Sequence, residues 1–351
     1  MTRNFLIKVA ILITILLTAL CVIFFTCRGR DKEAPPVQQI EEEIIEETQT
    51  EPEEEAPPVQ ARGSGSVSYQ TQRPLSALPA LRGKPGMGVN TSEIDPAYYE
   101  NPDLNVLRQM GVDQFLISFF AGEQFYRSGD YDKAIAEYTA SINRNGEFIE
   151  ALISRGNTWM KRREYSRAIE DYTRAIRLNG SRAELYNYRG YARSERGEMN
   201  SAIEDFSRAI TLNRNYVDAL INRSHAFYQT GDYTKTIEDC DRIINLEPSN
   251  AVIWNRRGSA WYRKEDDDKA IRDFTEAIRL RSDYAVAWYN RGNAWYNKGE
   301  MDKALSDLNR TITLNPSFAA AYTSRGNILR MQGNNESANA DFASARRLEG
   351  R

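Results

Sequence analysis

Arginine and aspartate recur in this chain at fixed spacing, and the chemistry they offer is pairing rather than turnover. Arg155, Arg189, Arg223, Arg257, Arg291 and Arg325 lie 34 residues apart, and sixteen residues after each come Asp171, Asp205, Asp239, Asp273, Asp307 and Asp341. A guanidinium is a planar fork that matches a carboxylate bidentately. The spacing therefore predicts a structural ladder of ion pairs between neighbouring helices, with the Arg stems lying on apolar surface. The rest of the inventory argues against catalysis. The chain has one histidine, His225, and three cysteines, of which Cys21 and Cys27 fall in or at an apolar amino-terminal run. Cys240 has no histidine beside it on its helix and reads as a core residue. No metal-ligand spacing and no phosphate-cradling glycine loop occur, so no metal, no cofactor and no enzyme activity is expected.

The elements that carry these residues follow from a second regularity. Gly122, Gly156, Gly190, Gly258, Gly292 and Gly326 share the 34-residue register, with Ser224 in the fourth slot; Ala134, Ala168, Ala202, Ala270, Ala304 and Ala338 follow, with Thr236 in the fourth. A fixed period of this length means stacked units rather than one globular core. Inside a unit, two stretches place apolar residues at helical spacing, as with Trp254, Gly258 and Trp261 and then Ala270, Phe274 and Ala277. Gly129-Asp130, Gly197-Glu198, Gly231-Asp232 and Gly299-Glu300 suit a left-handed helix end followed by a cap. Arg163 and Glu265 replace that glycine, at a cost of roughly 1 kcal/mol each. Asn179-Gly180, Pro248 and Pro316 punctuate the joins between units. In the fourth unit, Ser224, Thr236, Cys240 and Ile243 exchange small for large and large for small, which reads as volume compensation in a close-packed interior.

These residues resemble the tetratricopeptide repeat, a helix–turn–helix unit; Trp288, Arg291-Gly292, Trp295, Gly299, Ala304, Leu308 and Pro316 fit that family's pattern. The resemblance covers residues 115–351 as seven units, 115–148, 149–182, 183–216, 217–250, 251–284, 285–318 and 319–351. It implies an all-α, right-handed superhelical solenoid whose concave surface, lined by the first helices, holds a protein or peptide segment. Its inner-face positions map onto Asn157, His225, Asn293 and Asn327, onto Tyr126, Tyr228, Tyr262 and Tyr296 three residues further along, and onto Arg256 and Asn290. Asn can donate to and accept from an extended backbone, and Tyr supplies rigid amphipathic area. The departure from the family is Arg before the glycine. The variant that grips a terminal carboxylate uses inner-face lysines, where this chain has Ile153, Asn187, Ile221, Asn255 and Tyr289, so that ligand class is disfavoured.

Both ends of the array are read from polarity. Ile135, Ile169, Ile203, Ile237, Ile271 and Leu305 mark a face meant for the next unit, replaced in the last by Asn339, while Arg346 replaces a second isoleucine. A terminal unit needs such a polar outer face. A short helix within 103–114, with Leu104, Leu107 and Met110, is expected to cover Phe115, Leu116, Phe119 and Phe120.

Residues 9–27 form nineteen consecutive uncharged positions, long enough for a single transmembrane helix. This assigns 1–27 as an anchor with the amino terminus cytoplasmic and the repeats periplasmic, in a bacterial envelope. A lipoprotein acylated at Cys27 and a cleaved secretion signal are the alternatives. Residues 28–102 read as a disordered acidic, Pro-rich linker, with nine carboxylates between Glu41 and Glu55. Residues 28–114 hold 8 Lys and Arg against 16 Asp and Glu, and the repeats carry only a small positive excess, too weak for a nucleic-acid surface. The expected function is a membrane-tethered adaptor whose concave surface captures a partner segment. The alternative is an assembly subunit of an envelope complex that docks through its convex surface.

Overall fold

The computed structural model describes residues 102–109 and 111–350. A short helix, α1 (Leu104–Gln109), precedes seven helical hairpins. They are α2 (Gln114–Arg127) with α3 (Tyr131–Arg144), α4 (Ile149–Lys161) with α5 (Tyr165–Leu178), and α6 (Ala183–Glu195) with α7 (Met199–Leu212). Then come α8 (Val217–Gln229) with α9 (Tyr233–Leu246) and α10 (Ala251–Arg263) with α11 (Asp267–Leu280). The last two are α12 (Ala285–Asn297) with α13 (Met301–Leu314) and α14 (Ala319–Met331) with α15 (Asn335–Leu348). No strand occurs among the described residues.

Each helix packs on the one before and the one after, so the fold is an all-helical solenoid. The alanine slots explain how close the helices come: Ala134, Ala168, Ala202, Ala270, Ala304 and Ala338 are all completely buried. The glycine slot is tighter still. A Cβ at Gly258 would stand 2.7 Å from the Phe274 ring, well inside van der Waals contact. In the fourth hairpin Ser224 takes that slot, and the facing aromatic is replaced by Cys240. Ser224, Thr236, Cys240 and Ile243 are all fully buried, as volume compensation requires.

Turns follow their residues. Asp130, Asp232 and Asp266 accept from the backbone N–H of Lys133, Lys235 and Lys269, satisfying otherwise orphaned donors at the start of the second helix. Arg163 and Glu265 are held at φ 58° and 61°, in the region the other turns fill with glycine. Between hairpins, Asn145, Asn179, Asn213 and Asn315 each accept from the N–H two residues on. Trp254 and Trp288 pin these joins by donating their indole N–H to the carbonyls of Pro248 and Ser282, at 2.9 and 3.0 Å. At the amino-terminal end, Leu107 of α1 lies buried with Leu116 and Phe120. At the other end Asn339 and Arg346 face solvent.

The single-pass membrane assignment, with the repeats in the periplasm, is overturned: among the described residues no helix is long and apolar enough to cross a membrane. The apolar residues of the array are distributed over amphipathic helices of 13 to 14 residues, too short to span and polar on one side. The anchor assigned to 1–27 and the linker up to residue 101 lie outside the described residues.

Candidate protein-binding face

Two sets of polar side chains run the length of the solenoid, and they are built differently. The first is the seam between hairpins. Each of the six arginines holds the aspartate sixteen residues on with a bidentate pair; for Arg155 and Asp171 the two bonds are 2.9 and 2.7 Å. Both partners are largely withdrawn from water: the side chains of Arg189 and Asp205 are 15% and 4% exposed. The pairs lie within a hairpin, from its first helix to its second. A third arm then crosses to the preceding hairpin. Nη1 of each arginine donates to Thr139, Thr173, Ser207, Asp241, Thr275 or Asn309, at 2.6 to 3.2 Å. Every arginine therefore ties three helices together. Arg257 and Arg291 also lie over the rings of Trp254 and Trp288, at 4.6 and 4.8 Å.

Burial works against these charges, and at Arg257 the contacts win. Desolvation opposes the Arg257 guanidinium, but its hydrogen bonds and charge contacts with Asp273 and Asp241 hold its pKa above the ordinary value. Asp171 and Asp273 are pushed upward by burial, against the pull of their arginines. Cys240, packed nearby, is a core group: burial pushes its thiol up to about 12, so it stays protonated.

The second set lies on the first helices, along stripes at i, i+4, i+7 and i+11 that share one helical face. On α4 the stripe is Glu150, Ser154, Asn157 and Lys161; on α10 it is Val252, Arg256, Ser259 and Arg263; on α12 it is Val286, Asn290, Asn293 and Asn297. Here the bridges run from first helix to first helix. Asn222 donates to Asn187 at 3.0 Å, Asn290 donates to Asn255 at 3.1 Å, and Ser154 donates to Glu123 at 2.8 Å. Arg182 spans Glu150 and Glu184. The amides Asn187, Asn222 and Asn255 are almost completely buried, and Asn222 Oδ1 has no hydrogen-bond partner among the described residues.

The structure distributes the sequence-expected residues unevenly over this face. Asn157 Oδ1 accepts from the Tyr172 hydroxyl of its own hairpin at 2.7 Å, while its Nδ2 has no hydrogen-bond partner among the described residues. Tyr262 and Tyr296 are half-buried and pack on core clusters. Tyr126 and Tyr228 are half-buried beside Tyr131 and Tyr233, with ring centroids 5.6 and 5.4 Å apart. Burial lifts the Tyr126 hydroxyl to about 12. Asn293 and Asn327 are half-buried on the same face. Arg256 is only 3% exposed. Glu123, Asn187, Asn222 and Asn255 belong to the face as well. The signal that could have found the amide pairs is their separation of 35 residues, one more than the repeat, which links adjacent slots on consecutive helices.

Stacked helical hairpins with small residues at the helix crossings define a helical-repeat solenoid. Tetratricopeptide repeat family models match residues 119–183, 153–217 and 285–318, and a TPR repeat model matches 258–299. Tetratricopeptide repeats are thus present over these residues, and no catalytic family is among the matches. A tetratricopeptide repeat protein from Parabacteroides merdae ATCC 43184 superposes with a TM-score of 0.56 at 19% identity, over 67% of this chain and 93% of that one. The C-terminal part of a TPR repeat-containing protein from Cytophaga hutchinsonii gives 0.56 at 14% identity, over 66% and 95%. A crystal structure of MamA protein is 27% identical, with a TM-score of 0.47 over 49% of this chain and 94% of that one. No curated protein matches the chain.

Proposed function

We propose that this chain is a non-catalytic interaction scaffold whose first-helix face forms the concave wall of a right-handed superhelix and captures a segment of a partner protein. The observation that carries this reading is the amide bridging. Asn222 to Asn187 and Asn290 to Asn255 fasten consecutive first helices side chain to side chain. The face is thereby a preorganised surface rather than a row of independent stripes, and preorganisation lowers the entropy lost on binding. Asn293 and Asn327 supply donors and acceptors for a backbone, and Tyr228, Tyr262 and Tyr296 supply flat contact area. Each hydrogen bond contributes about 0.5–1.5 kcal/mol net, so several together are needed for a micromolar complex at about −8 kcal/mol.

The test uses a photo-crosslinking amino acid placed either at Asn293, on this face, or at Lys303, exposed on the second helix of the same hairpin. Adducts with a partner protein are expected from position 293 and not from 303. Adducts from 303 alone would discard the first-helix face as the binding surface.

A further inference from the structure

The first-helix stripes change character along the array. In the second, third and fourth hairpins the stripe begins on a carboxylate, Glu150, Glu184 and Asp218; in the last three the same position holds Val252, Val286 and Ala320. One helical turn further on, Arg256 is the only charged residue that any hairpin places at that position. Its side chain is buried, and Nη1 donates to the Ile221 carbonyl and the Ser224 hydroxyl, each at 3.0 Å. Both acceptors are neutral. Among the described residues Arg256 forms no ion pair, and no acceptor is found for Nε or Nη2.

A buried cation without an anion is costly, and such groups are normally paired. A second, independent feature shows that the fold is fitted around this one. Ser224 stands where the other hairpins carry glycine, and its hydroxyl donates to Ile221 while accepting from Arg256. Asn222, whose side chain ends in the unsatisfied Oδ1, lies between those two contact points in sequence. The Arg256 guanidinium is thus oriented by the preceding hairpin with one edge left for an acceptor from outside.

We propose that the groove selects a partner segment with segregated charge: a carboxylate seated on Arg256, and lysine or arginine over the second to fourth hairpins. This rests on the first-helix face being the binding surface. The carboxylate belongs either to an Asp or Glu side chain or to a chain terminus, both of which present the same oxygen pair to a guanidinium edge. In that half three carboxylates, Glu150, Glu184 and Asp218, stand against the one cation that spans the first two, Arg182, so a negative excess remains among them and like-charge contact works against the reversed charge order.

The experiment measures fluorescence anisotropy of synthetic peptides with the full chain. Two amidated peptides share one composition, with lysines and glutamates in separate blocks or alternating. A second pair keeps the lysine block, replaces every glutamate by serine, and ends in a free or an amidated carboxyl. The segregated peptide is expected to bind about tenfold or more tightly than the alternating one. Arg256→Gln should abolish that preference without lowering the melting temperature, and Arg256→Lys should keep part of it. Preference for the free terminus in the second pair assigns the carboxylate to a chain end; its absence assigns it to a side chain. A photoreactive group on the acidic block should label α10, and one on the basic block should label α4, α6 or α8. Equal affinity for the two block patterns, or a preference that survives Arg256→Gln, overturns the charge reading. If such peptides still label position 293's stripe, the groove itself stands. Binding by none of them removes both.

Discussion

Arg256 and Arg257 are adjacent on α10 and sit in opposite electrical surroundings. Arg257 points into the seam, where Asp273 meets it at 2.8 and 2.7 Å and Asp241 at 2.6 Å. Arg256 points along the first-helix face and meets only a carbonyl and a hydroxyl. The seam arginine has a counterpart in five other hairpins; the face arginine has none. A charge repeated with its partner serves stacking, which every hairpin must do. A charge that occurs once, without a partner, serves something that only one place along the array does.

The largest expected effect separates these two residues. Arg257→Gln leaves Asp273, whose side chain is 7% exposed, without its cation, and should cost about 2–4 kcal/mol of stability. Arg256→Gln removes a charge that no anion balances, and should change stability by less than about 1 kcal/mol, with the sign favouring the variant. Urea denaturation of both variants reads the difference. Equal losses would mean that Arg256 also belongs to the stacking machinery. Because a solenoid's stability is a sum over units and their contacts, hydrogen exchange should place the Arg257→Gln loss in α9, α10 and α11.

The same contrast explains what could be read from residue order. The Arg and Asp slots keep one residue type through six hairpins, and the glycine and alanine slots nearly so, because each faces an identical neighbour. The third arm of the seam escapes such reading. Thr139, Thr173, Ser207, Asp241, Thr275 and Asn309 share a position and an acceptor oxygen but are of four residue types. The clue was in the last hairpin, where no arginine follows and the slot holds Ala343. The amide pairs of the face break the period by one residue, so the 34-residue register passes over them. Arg256 could be assigned to the inner face by register, but its burial could not, since arginine is ordinarily exposed. That burial comes from the preceding hairpin, through Ser224, rather than from the helix that carries it.

A smaller effect tests whether the seam's helix crossings are as uniform as its ion pairs. At Gly258 an added methyl meets Phe274 at 2.7 Å, whereas at Gly292 its nearest neighbours, Asp307 Cβ and Leu308 Cγ, stand at 3.3 Å. Gly258→Ala must displace a fully buried ring and should destabilise by about 1–2 kcal/mol despite the gain in helix propensity. Gly292→Ala has a branched, movable leucine to accommodate it and should be neutral or stabilising by up to about 1 kcal/mol. Thermal melts showing equal losses at the two sites would mean that the aromatic ring is not what sets the spacing.

The smallest effect concerns the turns, where the second and fifth hairpins differ from the others. Arg163 and Glu265 adopt φ 58° and 61°, while Gly129, Gly197, Gly231, Gly299 and Gly333 adopt 78° to 83° at the same place. Nothing lies within 4 Å of a Cβ built at Gly231, so a side chain is sterically free there and only the backbone objects. Relief of the left-handed strain favours Arg163→Gly by about 1 kcal/mol, and the greater freedom of glycine in the unfolded chain returns part of it. A net gain of about 0.5 kcal/mol is expected. Glu265→Gly lies three hairpins away and shares no partner with it, so the two gains should add. Gly231→Ala, by the same reasoning, should lose a similar amount. If Arg163→Gly instead destabilises, the arginine contributes contacts that outweigh its backbone, and the second turn belongs with the features particular to one hairpin rather than with those every hairpin repeats.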